Sequence, residues 1–157
     1  MLADVERRLR SFARVQHSLQ MPDCSTRMDA TPNLRQLCQA ISQAKLEGRG
    51  IELSFVDHPF KMNSERCWLL GMIVAELITN AARHAFGDEP GLINVEIFRS
   101  SNSVECRVTD NGSAEAAVRP GQGFEIIQDL IKRLHGMIDQ QFGPCGSPSV
   151  LVFPLDP

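Results

Sequence analysis

The segment from Ser64 to Phe86 is the sequence feature that most constrains the fold. Apolar residues recur through it at the spacing of a buried helix face: Leu69, Leu70, Ile73, Val74, Leu77 and Ile78. Glu76, Asn80 and His84 lie four residues apart on one stripe, with Arg83 beside them. Burying such polar groups costs free energy unless they find partners. The pattern predicts a core helix whose polar stripe faces a ligand, although a satisfied core cluster or a solvated edge would give the same pattern.

Length and composition set the broad class. With 157 residues, 43% of them hydrophobic and 22% charged, the chain is long enough for one globular domain with a core. The net charge of -3 gives no basic field, so nucleic acid is not expected as a partner. Charged and polar residues interrupt the longest apolar run, so no membrane segment is expected either.

The cysteines argue against a disulfide framework or a zinc site. They are odd in number and scattered, without ligand spacing, at Cys24, Cys38, Cys67, Cys106 and Cys145. Reduced thiols of this kind are typical of a cytoplasmic protein.

The N-terminal segment, residues 3–20, has the pattern of an amphipathic helix. Its apolar face consists of Val5, Leu9, Phe12, Val15 and Leu19, and arginines occupy the other face. Such a face must be covered by the next helix or by a second copy of the chain. A homodimer formed through this helix is therefore expected.

The remaining chain alternates helical and strand patterns. A second helix is expected from Pro32 to about Glu47, a strand over 51–56, a hairpin over 93–98 and 104–109, a helix over 124–134, and strands over 137–142 and 149–153. Helices interspersed with adjacent antiparallel strands predict an α+β fold, a two-layer sandwich with helices on one face of a sheet.

Two glycine-containing motifs follow the long helix. Thr109-Asp110-Asn111-Gly112 holds a carboxylate at the end of a strand, and Gly121-Gln122-Gly123 leads into a helix. A helix N-terminus preceded by glycines can bind an anion through free backbone N–H groups. Taken singly, each motif is as well explained by a tight turn.

Taken together and in order, the motifs resemble a known superfamily. ELITNAARHAF, VTDNG, GQGFEII and GSPSVLVFP are similar to the N box, the two glycine boxes and the final strand of the Bergerat-fold ATPases. The end of the N box and the preceding RLRSFARVQHSLQ are most similar to bacterial HWE-like histidine kinases. The resemblance implies a partial helical dimerisation segment over residues 1–47 and an ATP-binding catalytic domain over residues 48–157.

The resemblance also implies roles for single residues. Asn80 would hold a magnesium ion that bridges the phosphates of ATP, and Glu76, one turn earlier, would polarise water or assist the metal shell. Asp110 would accept a hydrogen bond from the adenine amino group, and Gly112 would leave room for the base. Ser147 falls where the family usually has a threonine that supports the aspartate.

The phosphate end of the implied site involves the second glycine box. Gly121 and Gly123 would let backbone N–H groups surround the phosphates. Arg83 and His84 would lie near the same end. Phosphoryl transfer asks a protein mainly for positioning and charge neutralisation, which this set could supply.

The chain departs from the family pattern in two places. Ala114 replaces the second glycine of the first glycine box, and the lid, Ser113 to Pro120, is short. The family's phosphoacceptor histidine lies on an earlier helix than the one that residues 3–20 resemble. His17 occupies a position where such helices often carry an unphosphorylated histidine, so the acceptor stays unassigned.

These observations favour the ATP-binding domain of a two-component sensor histidine kinase. It would bind Mg-ATP, transfer the γ-phosphate to a histidine and work with a response regulator or a phosphoacceptor protein. Two alternatives stay open. One is a nucleotide-free histidine phosphotransferase or adaptor with the same fold, and the other is a serine kinase of the anti-sigma-factor type.

Overall fold

The computed structural model describes residues 27–84, 86, 89–112, 122–140 and 149–155, without the side chains of residues 84, 122–124 and 140. The strands are β1 (Arg27–Asp29), β2 (Ile51–Asp57), β3 (Lys61–Asn63), β4 (Gly91–Ser100), β5 (Ser103–Asp110), β6 (Met137–Gln140) and β7 (Ser149–Pro154). The helices are α1 (Ala30–Ile41), α2 (Ser64–His84) and α3 (Gln122–Arg133).

Five strands form the main sheet in the order β2-β4-β5-β7-β6. β2 runs parallel to β4, and every other pairing is antiparallel. β4 and β5 form the predicted hairpin, whose turn has Ser101 at a positive φ of 56°. Ile93, Val95 and Ile97 are every second residue of β4, so their side chains lie on the same face of the sheet, the one that the helices cover, and are buried there.

The three helices cover one face of this sheet and share a single core with it. Buried residues of α1, α2, α3 and the strands belong to one apolar cluster, including Leu34, Leu37, Ile73, Ile78, Ile93, Ile127, Ile131, Leu151 and Phe153. Exposed apolar side chains lie on strands of the sheet, at Val56, Leu92, Met137 and Val152. The two-layer α+β sandwich expected from the sequence is confirmed.

α1 does not end as a regular helix. It continues through one π-helical turn, Ser42–Leu46, and one 3₁₀ turn, Glu47–Arg49. Gly50 then takes a left-handed conformation with φ of 70°, which glycine adopts without steric cost, and β2 begins at the next residue. The second helix was therefore predicted at the right place, with a more irregular end.

Two short strands were not predicted from the sequence. β1 pairs antiparallel with β3 in a separate two-stranded sheet, and the N–H of Ala30 donates to the carbonyl of Phe60 at 3.0 Å. Strands of three residues are too short to show an alternating pattern. Their pairing ties the start of α1 to the start of α2, where Asn63 accepts hydrogen bonds from the N–H groups of Glu65 and Arg66.

The predicted helix over residues 3–20 lies outside the described residues. The division into a helical segment, residues 1–47, and an ATP-binding domain, residues 48–157, stays a prediction. No helix within the described ranges is long and apolar enough to span a membrane.

Candidate functional site

The polar stripe of α2 runs from the core to the surface. Glu76 is 6% exposed, Asn80 one turn later is half-buried, and Arg83 is exposed. His84 is the last residue of α2. The C-terminal half of the helix therefore carries its polar groups out of the core toward one end of the sandwich, as a ligand-facing stripe requires.

The turn after α2 brings the helix next to the start of β4. Phe86 is buried, and its carbonyl accepts the N–H of Glu89 at 2.9 Å. The Phe86 ring lies directly against Gly91, so closely that a Cβ at position 91 would overlap the ring. The end of the polar stripe and the first residues of β4 thus form one packed unit.

Asp110 is the last residue of β5 and pairs with Ile93 of β4. One of its carboxylate oxygens accepts the N–H of Gly112 at 3.0 Å. Partial burial raises the pKa of Asp110 above its ordinary value, and the hydrogen bond from Gly112 opposes that rise. Both oxygens of a carboxylate can accept hydrogen bonds, so Asp110 can also accept a hydrogen bond from a ligand N–H at this edge of the sheet.

Asn111 joins the end of β5 to the start of β4 in a way that sequence reasoning missed. Its Oδ1 accepts the N–H of Leu92 at 2.8 Å, and its own N–H donates to the carbonyl of Leu92 at 3.2 Å. Asp-Asn-Gly is typical of a turn, and nothing in the sequence points to a partner 19 residues away. The pair of bonds holds residues 110–112 against the strand that follows the Phe86 turn.

The direction of α3 follows from a contact of Arg66 near the start of α2. The Arg66 guanidinium donates to the carbonyl of Leu134 at 3.0 Å, just after the end of α3, and to that of Pro154. The start of α2 therefore lies near the end of α3, and since the two helices pack together, they run antiparallel. At a rise of about 1.5 Å per residue, the 12-residue α3 reaches back to roughly the level of Asn80. Its N-terminus, with Gly123 in the first turn, therefore points toward the polar end of α2.

Three elements are thus directed toward the end of the sandwich where β4 begins: the polar stripe of α2, the N-terminus of α3, and residues 110–112. Together they offer an amide, a carboxylate and helix-terminal N–H groups. Two predicted site residues, Gly121 and Ser147, lie outside the described residues, as do His17 and Ala114. The side chain of His84 is likewise not described.

A depression lies elsewhere on the molecule. It is an open groove of about 370 Å³ between α1 and β2, lined by residues that include Arg35, Cys38 and Phe55. Arg35 forms an ion pair of 2.6 Å with Asp57 and lies over the Phe55 ring. No predicted site residue lines this groove, so the groove and the predicted site residues lie at different places on the molecule. Because of the donor set described above, the α2 end is the candidate site.

Within the described ranges, no group of three histidine, cysteine or acidic side chains could hold a metal by itself. Magnesium sites next to a nucleotide usually take only one or two protein oxygens, because phosphates and water complete the shell. The oxygens of Glu76 and Asn80, one helical turn apart, fit that pattern.

Comparison with known proteins shows the family of the chain. A family model described as a histidine kinase-like ATPase domain matches residues 54–135, more than half of the chain. The serine-protein kinase RsbW of Listeria monocytogenes is 46% identical over 46 residues. That match spans only 29% of each protein.

Solved structures share the fold at low sequence identity. The histidine kinase domain of the blue-light activated kinase EL346 of Erythrobacter litoralis superposes with a TM-score of 0.77 at 20% identity, over 98% of this chain and 74% of that chain. Full-length ShkA in complex with AMPPNP has a TM-score of 0.67 at 20% identity, over 98% of this chain and 35% of that chain.

Proposed function

The chain belongs to the histidine kinase-like ATPase domain family, and we propose that it is the ATP-binding domain of a two-component sensor histidine kinase. In this role it binds Mg-ATP and transfers the γ-phosphate to a histidine. The proposal is supported by the antiparallel packing of α3 on α2, which directs the N-terminus of α3 toward the Asn80 end of α2, and by the position of Asp110 beside the start of β4. The likeness to ShkA, a structure determined with AMPPNP, supports the same ligand.

The base end of the site centres on Asp110. Its carboxylate accepts the adenine amino group, while Gly112, held to Asp110 by the 3.0 Å hydrogen bond, leaves space for the ring. Partial desolvation strengthens such a hydrogen bond, because water competes less for the carboxylate. Ser147 is assigned a supporting contact to this carboxylate.

The phosphate end centres on α2 and the N-terminus of α3. Asn80, with help from Glu76, would hold a magnesium ion, whose charge neutralises the phosphates and the developing transition state. Gly121 and Gly123 let the backbone N–H groups at the start of α3 approach the phosphates, where the helix dipole favours negative charge. Arg83 and His84 add positive charge and hydrogen bonds at the same end.

The proposed partners follow from the role of the domain. The amphipathic helix over residues 3–20 forms a homodimer, the acceptor histidine lies outside the residues assigned to the site, and a response regulator receives the phosphoryl group. HWE-like kinases are the subclass that the N box supports. The cytoplasm is the proposed location, since ATP and response regulators are there.

Nucleotide binding is tested by calorimetric titration of the chain with AMPPNP and magnesium. We expect a dissociation constant in the micromolar range, about -8 kcal/mol of binding free energy. Asn80→Ala removes the metal ligand and should weaken binding at least tenfold. Asn102→Ala, in the turn at the far end of the β4–β5 hairpin, is the matched control and should bind like the native chain. A folded native chain that binds no nucleotide would contradict the proposal and favour the adaptor alternative.

The identity with RsbW over 46 residues supports a second candidate, a serine kinase of the anti-sigma-factor type. The two candidates differ in the bond they form. Phosphohistidine contains a P–N bond that acid hydrolyses and base spares, whereas phosphoserine contains a P–O bond with the opposite behaviour. After incubation with γ-labelled ATP and candidate acceptor proteins, an acid-labile, base-stable product supports the histidine kinase. An acid-stable product would assign the serine kinase instead.

A further inference from the structure

We propose that Asn111 is a positioning residue of the nucleotide site, which fixes the base-binding Asp110 relative to the polar end of α2. This inference rests on the proposed function. It concerns an exposed side chain that has no expected contact with the nucleotide.

The β4–β5 ladder reaches as far as Asn111. The regular pairing ends at Ile93 and Asp110. Asn111 carries it one residue further, because its side-chain Oδ1 accepts the Leu92 N–H at 2.8 Å and its backbone N–H donates to the Leu92 carbonyl at 3.2 Å. A side chain that stands in for a backbone acceptor in this way prevents the end of the strand pair from fraying. Asp110 is thus held in place by the bonds that the next residue makes to β4.

The orientation of the Asp110 carboxylate depends on the residues that follow it. Asp110 accepts the N–H of Gly112 at 3.0 Å, so its side chain is aimed by the backbone two residues later. Residue 111 lies between the two and is anchored to Leu92 by both of its bonds. If the Asn111 side chain is removed, the 110–112 turn keeps only the longer backbone bond to β4. The carboxylate then samples several directions before a ligand arrives.

This anchor is also connected to α2. Leu92 follows Gly91, against which the buried Phe86 ring packs, and Phe86 belongs to the turn that ends the N box. Gly91 is also fixed by its pairing with Ile51 of β2. A continuous series of contacts therefore runs from the end of α2 through Phe86, Gly91 and Leu92 to Asn111. It sets the spacing between the phosphate end and the base end of the site.

The expected consequence is selective. A loosened Asp110 costs binding energy in the contact with the adenine amino group, whereas phosphate contacts are unaffected. A charged hydrogen-bond acceptor that is already oriented before the ligand binds improves affinity for that ligand by about tenfold. Inosine triphosphate lacks the amino group, so its binding should change little, and the preference for the adenine nucleotide should fall by about the same factor.

The test compares the full chain with Asn111→Ala and Asn111→Asp, each titrated with AMPPNP and with inosine triphosphate in magnesium. Aspartate keeps an acceptor oxygen of the same reach for the Leu92 N–H, and roughly 0.3 M salt screens its added charge. We expect Asn111→Ala to lose about tenfold in AMPPNP affinity and most of the adenine preference, and Asn111→Asp to recover both within about threefold. The Leu92 amide should exchange hydrogen faster in Asn111→Ala and at the native rate in Asn111→Asp. Asn102→Ala is again the control.

Three results would overturn the inference. Asn111→Ala could bind AMPPNP as tightly and as selectively as the native chain. Both variants could lose affinity for both nucleotides equally, which would make Asn111 a general structural residue. A native chain that binds neither nucleotide would overturn the proposed function together with the inference, so the two failures are distinguishable.

Discussion

At the scale of single residues, a partly desolvated carboxylate binds a proton more readily than one in water, and Asp110 has such a raised pKa. Adenine recognition needs the ionised form as acceptor. We therefore expect affinity for AMPPNP to fall as the pH is lowered through the pKa of Asp110. The fall should begin at a higher pH than an ordinary aspartate, with a pKa of about 3.9, would give.

Asp110→Asn separates this effect from protonation of the phosphates. The folded-state pKa of Asp110 lies above its unfolded value, so the ionised group destabilises the empty protein slightly at neutral pH. Asp110→Asn should thus keep or raise the melting temperature while weakening AMPPNP binding, and its remaining binding should lack the additional acid-side loss. A lower melting temperature with native affinity would contradict the assignment.

The turn after α3 gives a second prediction at this scale. His135 has a positive φ of 58°, and the N–H groups of His135 and Gly136 donate to the carbonyls of Lys132 and Ile131, the Schellman pattern of a helix C-terminus. Glycine suits that conformation better than histidine, so His135→Gly should stabilise the fold by about 0.5–1 kcal/mol in urea denaturation.

The neighbouring position supplies the contrast to His135→Gly. A Cβ at Gly136 would lie 3.0 Å from both the Phe153 Cβ and the Val152 carbonyl. Gly136→Ala should therefore destabilise the protein. If His135→Gly and Gly136→Ala changed the free energy of unfolding equally, the backbone conformation would not be what distinguishes the two positions.

At the scale of elements, the contact between the end of α2 and the start of β4 can be tested by adding one methyl group. Gly91→Ala forces the buried Phe86 ring away from its position. Overpacking of this kind costs about 1–3 kcal/mol, and we expect weaker AMPPNP binding as well, since Leu92 follows directly. Chemical denaturation and titration measure the two effects.

Gly48→Ala is the matched control for Gly91→Ala. No atom lies within 4 Å of a Cβ added at Gly48, so this change should leave stability and binding near native values. Similar losses in both variants would mean that the Phe86 contact is not responsible.

Long helices and strands with a repeating apolar pattern were predictable from the sequence. Three-residue strands and contacts made by single side chains were not. The apolar repeats of α2 and α3 and the alternation in β4 and β5 produced the right elements, within a few residues of the observed ends. The pairing of the three-residue strands β1 and β3 depends on partners 32 to 36 residues apart, and the bond from Leu92 to Asn111 on partners 19 residues apart. Local patterns contain no information about such partners.

At the scale of the whole molecule, the two-layer sandwich followed from the order of elements, whereas the strand order did not. A parallel pair between β2 and β4 next to an antiparallel hairpin depends on how α2 crosses the sheet. Three of the five cysteines lie in the part of the chain that the structure describes. Cys38, Cys67 and Cys106 are free and buried, and burial raises the pKa of Cys38 and of Cys67 to about 12.

The site is a property of the whole fold as well. The sequence placed Glu76 and Asn80 on one stripe, and the structure shows that stripe leaving the core. The antiparallel packing of α3 on α2, fixed at the Arg66 end, directs the N-terminus of α3 toward the end of α2 that carries Asn80. This arrangement is what the proposed nucleotide requires.

The measurement that tests the account most directly is hydrogen–deuterium exchange of the chain with and without AMPPNP and magnesium. We predict slower exchange in the C-terminal half of α2, residues 76–86, at Asp110–Gly112 and in the first turn of α3. Exchange should be unchanged around Arg35 and Phe55, in the groove between α1 and β2. Protection confined to that groove, or no protection at all, would contradict the assignment of the nucleotide site.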